Sequence, residues 1–193
     1  DTTWSRGLGD VYKRQPIDKI KTLNDNEFID LGNNRKLKAY HDPGHAKHHY
    51  SFYDDVSKTL FIGDTLGLIY PHGNFVQPNL PPPDFDKEIL FETLEKFEKL
   101  ELNNLALAHF GIHKNPYDLI TNAKESIDVW IKFIENLPET SNQEASAIME
   151  QWVRTNYEFL GIDKETIDNY TNNVHFEMQV AGIRNYLLKK KNP

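Results

Sequence analysis

The stretch His41-Asp-Pro-Gly-His45 is followed along the chain by Phe61-Ile-Gly-Asp64-Thr65 and by Leu105-Ala-Leu-Ala-His109-Phe-Gly111. The second and third stretches each open with a short apolar run that predicts a buried strand ending at the polar residue. A strand end holds its side chain rigidly, and several strand ends can meet at one edge of a sheet. Imidazole and carboxylate groups gathered in this way are typical of a metal site, so the three stretches predict an α/β protein with a metal centre.

Composition limits the other possibilities. The 193 residues carry a net charge of −7, which argues against nucleic acid as a partner because phosphate binding favours a basic surface. There is no cysteine, so any metal site must use nitrogen and oxygen ligands. No apolar run approaches the roughly 20 residues that span a bilayer, so we expect no membrane partner and a cytoplasmic location.

The first fifteen residues show neither helical nor strand periodicity. The segment Asp10-Val-Tyr-Lys-Arg-Gln15 matches the translation of a transposon adapter used in sequencing libraries. We therefore interpret residues 1–15 as an artefactual or disordered leader, and exclude them from the fold prediction. A truncation upstream of Pro16 is expected on this interpretation.

The remaining sequence alternates between predicted strands and helices. Strands are predicted at 27–32, 36–41, 49–53, 59–62 and 102–108. His48 and His49, at the start of the third, are expected to face opposite sides. A long loop covers 65–85, and Asp86 is predicted to cap the helix that follows it. Pro116 begins a second helix, and the capping box Ser141-Asn-Gln-Glu144 begins a tail that is all helical.

From Phe28 to His113 the motifs resemble the second half of a metallo-β-lactamase-fold hydrolase. The resemblance implies the C-terminal half of an αββα sandwich at residues 16–137, with a helical extension at 138–193. It also implies that His45 completes the ligands of one metal ion, that Asp64 bridges two ions, and that His109 binds the second. Two zinc ions are implied in the intact parent protein, with iron or manganese as alternatives.

The activity that the resemblance implies is hydrolysis of an ester, lactone, thioester or related bond in a small-molecule substrate. A metal-bridging hydroxide would be the nucleophile, with Asp64 as the catalytic residue that holds both ions. The family's His-x-His-x-Asp-His cluster is absent from this sequence, so only three of the seven expected ligands are present. We therefore expect this chain, lacking the N-terminal half of its domain, to bind zinc weakly or not at all and to be inactive.

Four further residues are candidates for substrate contact: His48, Tyr70, His72 and His113. Tyr70 and His72 lie in the long loop over the predicted site, and His113 lies just past His109. For His48 and His49, support of a metal ligand and ordinary strand packing are both open.

Each motif taken singly also has a structural explanation, as a solvated turn, a loop cap or a core hydrogen bond. Two functional alternatives stay open as well. One is a non-enzymatic, metal-free binding relative of the same fold, and the other is an iron-dependent redox member. Homodimer formation is a further open alternative.

Overall fold

The computed structural model describes Asp18, residues 20–69 and residues 75–191. The predicted leader at residues 1–15 lies outside these residues, and so do Tyr70 and His72. The described residues form a six-stranded sheet with the strands in chain order, and all neighbours are antiparallel except β4 and β5, which are parallel. The strands are β1 Phe28–Gly32, β2 Arg35–His41, β3 Tyr50–Asp54, β4 Thr59–Gly63, β5 Asn104–Leu107 and β6 Ile112–His113.

The described part of the chain also contains five long helices. They are α1 Lys87–Phe97, α2 Pro116–Glu135, α3 Asn142–Phe159, α4 Lys164–Asn172 and α5 Phe176–Lys191. The predicted helix starts are confirmed: the Asp86 side chain accepts from the Ile89 amide, and Ser141 and Glu144 form a reciprocal capping box. The α/β class predicted from the sequence is thus the observed one. Among the described residues, no helix is both long and apolar enough to cross a membrane.

The helices cover one face of the sheet. Tyr53, Leu60 and Leu105 lie side by side across β3, β4 and β5 on this face and belong to the buried core. The opposite face carries Phe61 and Ile112, whose exposed fractions are 42% and 65%. The core therefore lies between the sheet and the helices, and Phe61 and Ile112 on the other face are exposed.

Strand direction brings the predicted site residues to one edge of the sheet. His41 at the end of β2 pairs with Tyr50 at the start of β3, so the loop between them lies at this edge. Strand β4 runs antiparallel to β3 and ends there too, directly before Asp64. Because β5 is parallel to β4, its end brings His109 to the same edge.

At the opposite edge of the sheet, the buried carboxylate of Asp54 connects β2 to the turn before β4. Asp54 accepts a short hydrogen bond from the Arg35 guanidinium and further bonds from the Ser57 hydroxyl and the Val56 amide. The Arg35 bond, with smaller contributions from the other two, lowers the pKa of Asp54 to about 2. The turn into β4 is thereby tied to β2.

A candidate metal centre at the edge of the sheet

His45 is held in one orientation by the chain around it. Its side chain is buried, and Nδ1 donates to the Asn79 carbonyl oxygen at 2.9 Å. Because a carbonyl only accepts, the proton is on Nδ1 and the lone pair is on Nε2. Burial lowers the pKa of His45 below its usual value, which favours the neutral imidazole that a metal ion requires.

Asp64 and His109 face each other across the ends of the parallel strands. The Oδ1 atom of Asp64 is buried and has no hydrogen-bond partner among the described residues. Nε2 of His109 lies 3.7 Å from this oxygen, on a side chain that is more than half exposed. A buried oxygen without a donor is costly unless a cation or another partner satisfies it.

His49 and Asp42 form a hydrogen-bonded pair that holds the backbone amide of Asp64. Asp42 is fully buried and accepts from Nδ1 of His49 at 2.7 Å, from the Ser51 hydroxyl at 2.5 Å and from the Thr65 hydroxyl at 2.8 Å. Nε2 of His49 accepts from the backbone amide of Asp64 at 3.3 Å. Both nitrogens of His49 therefore bond to the protein, and the residue holds the backbone of Asp64 in place.

The close approach of His49 to the end of β4 requires a glycine. A Cβ added at Gly63 would lie 2.4 Å from Nε2 of His49, and the φ angle of Gly63 is +57°. The Gly63-Asp64 pair noted in the sequence thus serves two purposes. Gly63 makes room for the supporting imidazole, and the Asp64 amide donates a hydrogen bond to it.

The structure corrects the expectation that His48 and His49 lie on a strand. Strand β3 begins at Tyr50, and both histidines belong to the loop that precedes it. Asp42 holds that loop closed by bonding His49, so the strand starts later than the alternation of residues indicated. His48 is exposed, near the Asp84 carboxylate, and its predicted contact with substrate stays a prediction.

The other candidate substrate residues are less closely tied to the site. His113 lies on β6 and lines an open pocket of about 380 Å³ with Lys114 and Asp118. Its Nε2 is buried without a hydrogen-bond partner among the described residues, and burial lowers its pKa. Tyr70 and His72 lie outside the described residues, so their predicted roles stay predictions.

Comparison with known proteins assigns the family. The model of the metallo-beta-lactamase superfamily matches residues 2–109, which is more than half of the chain. The chain belongs to the metallo-beta-lactamase superfamily. The resemblance found in the motifs is therefore confirmed, and proteins of this superfamily bind metal ions such as zinc or iron.

Solved structures agree with the superfamily fold. An archaeal metallo-beta-lactamase superfamily protein from Sulfolobus tokodaii is 23% identical, with a TM-score of 0.57 over 93% of this chain and 60% of its own. A metallo-beta-lactamase family protein from Thermus thermophilus is 16% identical, with a TM-score of 0.59 over 88% of this chain and 49% of its own. The present chain thus spans less than two thirds of either structure.

The residues at the sheet edge suit the metals of the superfamily. The imidazole of His45, a carboxylate oxygen without a hydrogen-bond donor among the described residues, and a second imidazole are borderline and hard donors, as zinc, iron and manganese prefer. Within residues 20–69 and 75–191, however, no three His, Asp or Glu side chains stand close enough to form a complete metal-binding group. His45, Asp64 and His109 therefore share an edge but do not make a closed shell.

Two residues that support this candidate site escaped the sequence prediction. Asp42 stands inside the His41-Asp-Pro-Gly stretch, so its position close to His45 was a usable signal. Asn79 gave no signal, because it acts through its backbone carbonyl and lies far from His45 along the chain. Any residue type can supply a carbonyl, so the sequence does not mark this contact.

Proposed function

We propose that this chain contributes His45, Asp64 and His109 to the binuclear metal centre of a hydrolase. The observation that supports the proposal best is the buried Oδ1 of Asp64, which has no described donor and lies 3.7 Å from Nε2 of His109. A carboxylate shared between two cations would satisfy this oxygen. His45 would belong to one ion and His109 to the other, with zinc as the first candidate and iron or manganese as alternatives.

The proposed reaction is hydrolysis of an ester, lactone, thioester or related bond of a small molecule. Bound metal ions would supply Lewis acidity and a nucleophile that is effective at neutral pH. The contribution of this chain is to orient its ligands: Asn79 fixes the His45 ring, and His49 fixes the backbone at Asp64. Asp64 is the residue on which we expect activity to depend most.

The chain alone should hold these metals poorly. Its sequence contains no His-x-His pair, so three of the seven ligands expected in the family are available. Three ligands divided between two ions leave each ion weakly bound, because affinity depends on a complete and preformed shell. We propose that the chain by itself binds zinc weakly or not at all and does not hydrolyse substrates.

Zinc titration of the purified chain tests the ligand assignment. We expect weak binding that falls further in Asp64→Asn and His109→Gln, while His175→Gln, which changes an exposed histidine before α5, matches the unaltered chain. Measurable zinc affinities that were equal in all four proteins would contradict the assignment. Two equivalents of zinc retained after dialysis would contradict the claim of weak binding.

An activity panel separates the proposed reaction from its alternatives. Ester, lactone and thioester substrates should give no turnover with this chain, and turnover that depends on Asp64 should appear in a protein that also carries a His-x-His-x-Asp-His segment. If such a protein bound no metal, a metal-free binding role would be favoured instead. If it took up iron and consumed oxygen, a redox role would be favoured.

A further inference from the structure

The helical tail is hydrogen-bonded to the loop that precedes α1, in which the Asn79 carbonyl orients His45. Gln179 on α5 is buried, and its Oε1 accepts from the Leu80 amide at 2.6 Å. Its Nε2 donates to the side-chain Oδ1 of Asn79 at 3.2 Å. The Asn79 backbone carbonyl in turn accepts from Nδ1 of His45. Gln179 is therefore hydrogen-bonded to both residues of the Asn79–Leu80 peptide unit, whose carbonyl oxygen orients the His45 ring.

Helix α5 lies directly against this loop. A Cβ added at Gly182 would come within 1.8 Å of the Leu80 carbonyl oxygen, so only a glycine permits the helix to approach so closely. Farther along α5, Asn185 and Lys189 both donate to the Pro83 carbonyl, at 3.0 and 2.6 Å. The segment from Asn79 to Pro83 is thus held by one side of one helix.

Apolar side chains such as Leu66, Val76 and Phe85 anchor this loop in the core, but its backbone has little regular structure. Between Asp64 and α1, residues 65–69 and 75–86 contain no regular strand or helix, apart from one isolated bridge between Leu68 and Gln77. A long connection of this kind keeps one conformation only where other elements fix its backbone. Gln179 supplies two such bonds at the point where the loop meets His45.

We infer that Gln179 is a positioning residue, which sets the orientation of the His45 imidazole through the backbone of Asn79 and Leu80. The importance of this role rests on the proposed function, in which His45 is a metal ligand, but the geometry belongs to the metal-free chain. On this view α5 is a buttress of the site, meaning that it holds the loop backbone that orients His45 without contacting a metal itself. Loss of the Gln179 bonds should free the Asn79 carbonyl to turn and release Nδ1 of His45.

The test replaces the amide of Gln179 by an apolar group of similar size. Gln179→Met removes both hydrogen bonds, and Gln151→Met makes the same exchange at an exposed position of α3. Long-range proton–nitrogen NMR of the metal-free, ¹⁵N-labelled chain shows which nitrogen of His45 carries the proton, with His45→Gln assigning the signals. We expect one tautomer with a slowly exchanging Nδ1 proton in the unaltered chain and in Gln151→Met.

In Gln179→Met we expect a mixture of tautomers and rapid exchange of the Nδ1 proton. A single tautomer with a protected proton in folded Gln179→Met would overturn the inference. Should that variant fail to fold, Asn79→Ala decides, because it removes only the bond to Nε2 of Gln179 and leaves the backbone in place. An unchanged His45 signal in Asn79→Ala would then overturn the inference.

Zinc affinity provides the second measurement. Where the unaltered chain binds zinc measurably, Gln179→Met should weaken binding about tenfold or more, as loss of a ligand's supporting bond commonly does, and Gln151→Met should not. A chain that binds no zinc would agree with its incomplete ligand set, and the NMR result alone would then decide the role of Gln179. Zinc binding that Asp64→Asn and His109→Gln leave unchanged would contradict the proposed metal centre without bearing on the His45 tautomer. The two ideas can therefore fail separately.

Discussion

Replacing Gly44 by alanine should destabilise the chain far more than the loss of one glycine usually does. Gly44 has a φ angle of +124°, which L-residues rarely adopt. An added Cβ would also lie 2.6 Å from both the nitrogen and the Cα of Leu90, in the first turn of α1. Helical backbone cannot move aside locally, so the loop that carries His45 would have to withdraw from α1.

The expected cost follows from these contacts. A left-handed backbone conformation costs a non-glycine residue about 1–2 kcal/mol. Withdrawal of the His45 loop from α1 would also stretch two hydrogen bonds. The Asp86 amide donates to the Gly44 carbonyl at 2.9 Å, and the Thr93 hydroxyl donates to the Pro43 carbonyl at 3.2 Å. At about 1 kcal/mol for each bond, the total loss in the free energy of unfolding is about 3–4 kcal/mol.

Urea unfolding followed by circular dichroism measures this loss, and Gly161→Ala is the matched control. Gly161 also has a positive φ, +76°, but an added Cβ there would meet no atom within 4 Å. The control should therefore lose only the conformational cost of about 1–2 kcal/mol. If Gly44→Ala came within about 0.5 kcal/mol of Gly161→Ala, a spread typical of additive, unstrained sites, the reasoning from close packing on α1 would be refuted.

Two further predictions concern the two edges of the sheet. Because the folded pKa of Asp54, about 2, lies below its ordinary 3.8, Asp54 stabilises the chain above pH 4 and loses this effect as the pH falls towards 2. Asp54→Asn should thus lower the free energy of unfolding by up to about 2 kcal/mol at pH 7. If the difference in urea midpoint between the unaltered chain and Asp54→Asn stayed constant down to pH 2, ionisation of Asp54 would be excluded as the cause. Gly63→Ala should displace His49 from the Asp64 amide and so speed hydrogen exchange of that amide, whereas Gly161→Ala should not. Equal exchange rates of the Asp64 amide in both variants would show that His49 does not hold Asp64.

Local signals in the sequence were sufficient for the helix starts and for the strands that precede Asp64 and His109. The Asp86 cap and the Ser141–Glu144 capping box involve residues three apart, so the pattern itself contains the contact. Strand β4 is a buried apolar run whose end at Gly63 is explicit in the sequence. The shared edge of the sheet then follows from strand direction alone.

The supporting contacts of the site could not be predicted in this way. Gln179 bonds Leu80 across roughly a hundred positions of sequence, and its polar side chain on a helix would ordinarily be expected to face solvent. Strand β6 has only two residues, too few for any periodicity. The partner of a buried amide or carbonyl is chosen by tertiary packing, which a reading of local pattern does not capture.

The helical segment 138–193 was predicted as an extension, a boundary that stays a prediction, yet its aromatic residues pack into the same core as the sheet. Phe75, in the loop before Asn79, lies 4.3 and 4.4 Å, between ring centroids, from Tyr157 and Tyr170 of the tail. The same loop carries the carbonyl that holds His45. Any change that loosens the tail should therefore reach the candidate metal ligand through the loop, even though no tail residue needs to touch a metal. This coupling distinguishes a buttress from a lid, since a lid could open and leave the orientation of His45 unaltered.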